Sequence, residues 1–200
     1  GTNLAASKAL GIDGTAPTIT SVTSTTGDGT KKVGDAIAVT VNFSEAVTLA
    51  GGNLVVTLET GSTDRTITLS SISGATSVTG TYTVQSGDTS GDLTVGSIAL
   101  DGGSLSDAAG NAMSSFSIGT NLSASKALVI DTDVPTITSV TSSTADGTYK
   151  VGDAIVVTVN FSEAVTLAGG NLVVTLETGS TDRTLTLSSI SGATSASGTY

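Results

Sequence analysis

AIAVTVNF, residues 36–43, sets the large apolar residues Ile37, Val39, Val41 and Phe43 at every second position, with Ala38, Thr40 and Asn42 between them. Successive side chains of a strand point to opposite faces, so a period of two puts these four residues on one buried face. The pattern continues downstream. Leu54, Val56 and Leu58 alternate, Gly61-Ser62-Thr63-Asp64 supplies a turn, and Ile67 and Leu69 return as the second arm of a hairpin. Val78, Tyr82 and Val84 predict a further strand. Leu93 and Val95, then Ile98 and Leu100, change phase across Gly96, which predicts a bulge before the turn Asp101-Gly102-Gly103. With Pro17–Val22 as opening strand and Phe116, Ile118, Leu128 and Ile130 as closing strand, the reading is about seven short strands, an immunoglobulin-like antiparallel β-sandwich. No stretch has helical periodicity.

The stretch NFSEAVTLAGGNLVVTLETGSTDRT at 42–66 returns unchanged at 160–184, and residues 1–82 align without a gap on 119–200, differing at 12 of 82 positions. The period is therefore 118 residues, the length of a domain rather than of a solenoid unit, which is usually about 20–50 residues. Residues 17–134 are expected to form a complete repeat with its linker, 135–200 the N-terminal part of a second, truncated repeat, and 1–16 the closing strand of a preceding repeat with its linker. Pro17 and Pro135 mark the boundaries, after the short junctions Asp13-Gly14-Thr15-Ala16 and Asp131-Thr132-Asp133-Val134. Proline fixes the entry of each first strand, so neighbouring domains should swing little. Because 119–131 already supplies the closing strand of the complete repeat, residues 1–13, with Leu4 and Ile12, should protrude from it or pair with a neighbour.

Composition narrows the class further. The 200 residues are 38% hydrophobic but contain three Phe, three Tyr and no Trp, which predicts an aliphatic core in an all-β fold. A repeat of 118 residues can bury such a core without staples. Absence of Cys and His removes disulfides, thiolate metal sites and Ser-His-Asp or Cys-His catalysis. A paired-carboxylate glycosidase is the remaining formal option, and near-copying of one domain into the next, without Trp as a sugar platform, points away from it. The expectation is a non-enzyme. A glycan-binding module fares little better, since the one conspicuous loop aromatic, Tyr149, is replaced by Lys31 in the other repeat. Lys32 and Lys150 lie in polar loops and read as solvated lysines rather than isopeptide partners. Asn42-Phe43-Ser44 and Asn121-Leu122-Ser123 match the N-glycosylation pattern, which is short and common by chance. A net charge of −10 with seven basic residues disfavours nucleic acid and anionic membranes as partners and favours cations. No run of 18 apolar residues predicts membrane insertion in this stretch.

VGDAIAVTVNFSEAV at 33–47, TGTYTVQSGDTSGDLTV at 79–95 and IALDGGSLSDAAGNAM at 98–113 carry a further signal. In this order they resemble the bacterial Ig-like repeats of very long surface and adhesin proteins, of the type also described from a cyanobacterial swimming-motility surface protein. The resemblance covers 17–134 and most of 135–200. It implies an extracellular, cell-surface or secreted location, adjacent repeats of the same chain as partners, and calcium dependence.

The residues themselves also point to a hard cation. Ca2+ takes oxygen ligands from carboxylates, amide side chains and backbone carbonyls, and no EF-hand loop or Gly-Gly-x-Gly-x-Asp nonapeptide is present, so a site must be assembled from separate loops. In a seven-stranded sandwich the loops after strands two and six share one end with the incoming chain. That end collects Asp13 from the linker, Glu45 from the first loop, and Asp101, Asp107 and Asn111 from the second. At the next junction Asp131, Asp133 and Glu163 recur, with the partner loop falling after residue 200. The opposite end holds Asp28, Asp35, Asp88 and Asp92, which read as turn residues. The leading expectation is a non-catalytic stalk or spacer rigidified by Ca2+ at its junctions. The alternative is a self-assembling surface filament, sheath or surface-layer polymer in which copies pair strand to strand.

Overall fold

In the computed structural model, which describes residues 8–200, the alternating stretch forms the first half of the longest strand. Ile37, Val39, Val41 and Phe43 are all buried, and the residues between them are partly exposed. The chain is nearly all β, in several mostly antiparallel sheets compatible with a β-sandwich. It divides between Thr132 and Asp133 into two compact units. The expectations for residues 1–7, Leu4 among them, lie outside the described residues. Residues 8–14 form no strand and are exposed.

Unit 1 contains β1 (Ile19–Thr23), β2 (Gly29–Lys31), β3 (Ala36–Ala50), β4 (Asn53–Leu58), β5 (Arg65–Leu69), β6 (Ala75–Thr83), β7 (Val95–Asp101), β8 (Ser104–Ser106), β9 (Ile118–Thr120) and β10 (Leu128–Ile130), with a 310 turn at Leu122–Ala124. One sheet runs β6-β3-β1-β9 with β8 also on β3, a second runs β5-β4-β7, and β10 pairs with β2. The additions to the expected strands are the three-residue β2 and β8 and the splitting of the closing strand into β9 and β10 around the 310 turn.

Two pairings correct the expectation of a purely antiparallel fold. β9 runs parallel to β1, and β10 parallel to β2. Residues 118–120 and 128–130 thus pair with the first two strands of unit 1.

A second correction concerns β3. Glu45 was expected in a loop, but β3 continues through it to Ala50. Its first half pairs with β1 and β6, the register slips between Asn42 and Val47, and its last residues pair with β8. The slip is a bulge that bends the strand and turns Glu45 away from the apolar row. The predicted bulge at Gly96 is present as well, where the β4–β7 register shifts opposite Thr57 and Leu58.

The buried rows of both larger sheets join one core, in which Ile37, Val41, Leu54, Val56, Leu58, Leu93, Leu105 and Leu128 are fully enclosed. Each such side chain contributes roughly 1.5–3 kcal/mol by leaving water. Close approach of the sheets explains Gly80 in β6: a Cβ there would lie 2.3 Å from Ile67 Cγ2 and 2.7 Å from Leu69 Cδ2. Gly80→Ala is expected to cost about 1–2 kcal/mol by overpacking, read as a lower denaturant midpoint with an unchanged slope. An unchanged midpoint would show that the two sheets have room to part.

Unit 2 contains β11 (Ile137–Ser142), β12 (Val156–Val165), β13 (Leu172–Leu176), β14 (Arg183–Leu187) and β15 (Ala193–Thr199), in the sheets β11-β12-β15 and β13-β14. Its registers copy unit 1, with Ile137 opposite Phe161 as Ile19 is opposite Phe43. Its smaller core is built on Val157, Val159, Leu185 and Leu187. Among the described residues no helix is long and apolar enough to cross a membrane.

Candidate metal centre

Residues 105–113 fold into a tight hairpin in which the Met113 N–H donates to the Leu105 carbonyl (2.8 Å) and the Asp107 N–H to the Asn111 carbonyl (3.2 Å). The Asp-Ala-Ala-Gly-Asn turn is organised by Asp107, whose Oδ1 accepts the Asn111 N–H (2.8 Å) and whose Oδ2 accepts Asn111 Nδ2 (2.7 Å). Asn111 Nδ2 also donates to the Asp13 carbonyl (3.3 Å), tying the incoming segment to this loop. Asp13 makes a local turn, its Oδ1 accepting the Thr15 N–H (3.0 Å). Further on, the Ser44 N–H donates to the Thr18 carbonyl (2.9 Å) and the Thr18 N–H to Ser44 Oγ (3.0 Å), so the same segment is stitched to the β3 bulge beside Glu45.

The result is one group of three carboxylates. One oxygen from each of Asp13, Glu45 and Asp107 lies within 4.8 Å of the others, with Asp13 exposed, Glu45 half-buried and Asp107 buried. This is the single acidic group of that kind among the described residues.

The two better-enclosed acids respond in opposite directions. Partial burial pushes the Glu45 carboxyl above its ordinary 4.5, and the charges of Asp13 and then Asp107 push it the same way. Burial also acts to raise Asp107, but hydrogen bonds from the Asn111 side chain and from the Asn111, Gly110 and Ala109 backbone outweigh it and hold Asp107 below 3.8. Asp107 is thus a fixed anion, and Glu45 is the strained member of the group. Carboxylate oxygens are the ligand type a hard divalent ion takes, and three of the roughly six to eight that calcium uses converge at this place.

Of the eight residues expected to bind metal, Asp13, Glu45 and Asp107 are gathered, and Asn111 orients two of them. Asp101 stands apart. It ends β7 opposite Asn53, because the strand runs on to the glycine turn and keeps this residue in the β4–β7 ladder. Asp131 follows β10, where its N–H donates to the Lys31 carbonyl (3.0 Å). Asp133 opens unit 2, and Glu163 lies on β12 at the place of Glu45 on β3.

At the other end, Asp35 and Asp28 are turn and tether residues: Asp35 Oδ2 accepts the Lys32 N–H (3.0 Å), and Asp28 Oδ1 accepts the Ala127 N–H (3.3 Å). Asp88 differs from that expectation, being only 1% exposed. Its Oδ1 takes Arg65 Nε at 2.8 Å, and its Oδ2 takes the Tyr82 hydroxyl at 2.5 Å and the Gln85 N–H at 2.9 Å. Burial opposes its charge, but the Tyr82, Gln85 and Arg65 bonds prevail and lower its pKa below 3.8. Burial and the Asp88 bond together raise Tyr82 far above 10.0, so the phenol remains the donor. This network is structural, because every acceptor it offers is already used inside the fold. Asn121 is likewise occupied, its side chain accepting the Val95 N–H (3.0 Å) and donating to the Val95 carbonyl (2.8 Å), which rules it out as an exposed glycan acceptor. Compared with protein-family models, curated proteins and solved structures, the chain matches none.

Proposed function

We propose that the chain is a non-catalytic structural repeat of a long extracellular bacterial surface protein, built of immunoglobulin-like sandwiches in tandem. It acts as a stalk or spacer whose junctions are stiffened by Ca2+. The observation that carries this reading is the convergence of Asp13, on the incoming segment, with Glu45 of β3 and Asp107 of the 107–111 turn. An ion shared by these three would clamp the linker to two separate parts of the domain it enters. The near-copy of one repeat in the next, with no His or Cys for chemistry, supports a role in which repetition supplies length.

An ion that binds the folded junction alone stabilises it by about 2.7 kcal/mol when free calcium is roughly a hundredfold above the dissociation constant. Calorimetric titration of chelator-treated protein is expected to show heat from calcium at the junction, and thermal melting a matching rise. If calcium moves neither heat, melting temperature nor the particle length seen by electron microscopy, the acids are surface turns and any stiffness comes from the proline junction alone.

A further inference from the structure

The first and last strands of unit 1 lie side by side. Ile19 pairs with Ile118, Ser21 with Thr120, and Gly29, Thr30 and Lys31 with Leu128, Val129 and Ile130, all in parallel. In two parallel runs the start of one and the end of the other stand at opposite ends. Tension between Pro17 and Asp131 therefore slides the runs past each other instead of peeling them apart. β10 is gripped on both flanks. Towards β2, the Gly29 N–H donates to the Ala127 carbonyl (2.9 Å) and the Asp131 N–H to the Lys31 carbonyl (3.0 Å). On the other side the Leu93 N–H donates to the Leu128 carbonyl (2.8 Å), the Ser90 N–H to the Ile130 carbonyl (3.0 Å) and the Ile130 N–H to the Ser90 carbonyl (2.8 Å). Leu128 and Ile130 are buried beneath. Thr132 then fastens the outgoing chain: its Oγ1 accepts the Gly87 N–H (3.1 Å) and donates to the Asp88 carbonyl (2.8 Å). Asp88 is in turn held by Arg65, Tyr82 and the Gln85 backbone.

We propose that unit 1 bears tensile load, and that its clamp is β10 seated between β2 and residues 87–93, with the buried Asp88 network as the anchor. Under lengthwise load the three register pairs of β2 and β10, and the bonds to Ser90 and Leu93, are strained together and must yield together. Peeled from one end, the same bonds yield in turn, each worth only about 0.5–1.5 kcal/mol net. Forced unfolding is governed by the rate of leaving the native state, so simultaneous loss is the more resistant route. β1 and β9 share two pairs, which leaves the larger part of the resistance at β10. The inference rests on the spacer reading for its purpose, whereas the clamp follows from strand geometry alone and involves no ion.

The chain has no cysteine, so pairs of introduced cysteines set the direction of pull. Gly14→Cys with Val134→Cys, at exposed positions flanking unit 1, applies lengthwise load. Gly27→Cys with Ala124→Cys, also exposed, draws the starts of β2 and β10 apart. Single-molecule stretching of the full chain at one loading rate is expected to give a lengthwise unfolding force roughly threefold above the peeling force, since three pairs share the load. Because Gly14 follows Asp13, the pull bypasses that carboxylate, and the ratio should hold in calcium and in chelator alike. Thr132→Val, which removes both hydroxyl bonds and keeps the shape, should lower the lengthwise force and leave the peeling force unchanged. Equal forces in the two directions, or a lengthwise force that Thr132→Val does not lower, would overturn the proposal. So would a lengthwise resistance lost in chelator, because the load would then rest on the junction. A junction that gives no heat with calcium sinks the ion and leaves the clamp standing, so the two readings fail separately.

Discussion

Asp88→Ala is expected to lower the stability of the chain by about 3 kcal/mol, a fall of roughly 10 °C in melting temperature. The carboxylate is enclosed and accepts from Arg65, Tyr82 and the Gln85 backbone. Its removal leaves the buried Tyr82 hydroxyl and a backbone N–H without their acceptor. Arg65 retains a quarter of its surface in water and can turn outward, which keeps the loss at the lower end of the range for a broken buried pair. Tyr82→Phe removes one hydrogen bond and keeps the packing, so it should cost only about 1 kcal/mol. The pH dependence gives an independent check. A depressed aspartate contributes stability that is present above its unfolded value, ordinarily 3.8, and is lost as pH falls through the lower folded value. The gap between wild type and Asp88→Ala should therefore close on acidification below about pH 4. A gap that persists there would assign the effect to lost volume instead of charge.

The same network shows where sequence reading reaches its end. Alternation in 36–43 and the phase change at Gly96 are local signals, and both fold as read because a half-buried strand needs nothing else to define its faces. Asp88 sits in Ser-Gly-Asp-Thr, which reads as a solvated turn, and its burial depends on Arg65 and Tyr82 arriving from two other strands. A lone arginine in a stretch of otherwise polar, uncharged or apolar strand residues was the available hint. β2 and β8 were invisible for a similar reason: each is three residues long and exists through a partner distant in sequence. Glu45 was placed at the correct end but on the wrong kind of element, since a bulge in a continuous strand leaves the same polar break in the pattern as a loop. Asp101 and Asp107, six positions apart, differ in outcome because β7 carries the first along its ladder while the 105–113 hairpin aims the second at the incoming chain.

For the junction itself, the effect of Glu45→Gln is expected to change sign with calcium. In chelator, partial burial and then the charges of Asp13 and Asp107 disfavour the ionised form of Glu45. Its folded pKa is raised above 4.5, so its contribution to stability is fully present below the unfolded value and is lost as pH rises through the folded one. Glutamine cannot ionise, so the variant should be the more stable protein in chelator, and the advantage should vanish on acidification. In millimolar calcium the order should reverse. The wild type gains on the order of 10 °C from the ion, whereas the variant has lost one of three carboxylates and gains little. Asp107→Asn does not discriminate in this way. Asp107 anchors the 107–111 turn by accepting from Asn111, and an amide there sets a donor against a donor, so stability should fall with or without the ion. The crossover at Glu45 is consequently the decisive measurement: a surface carboxylate with no ion to hold shifts stability in the same direction in both buffers, and only a shared cation converts its repulsion into a clamp.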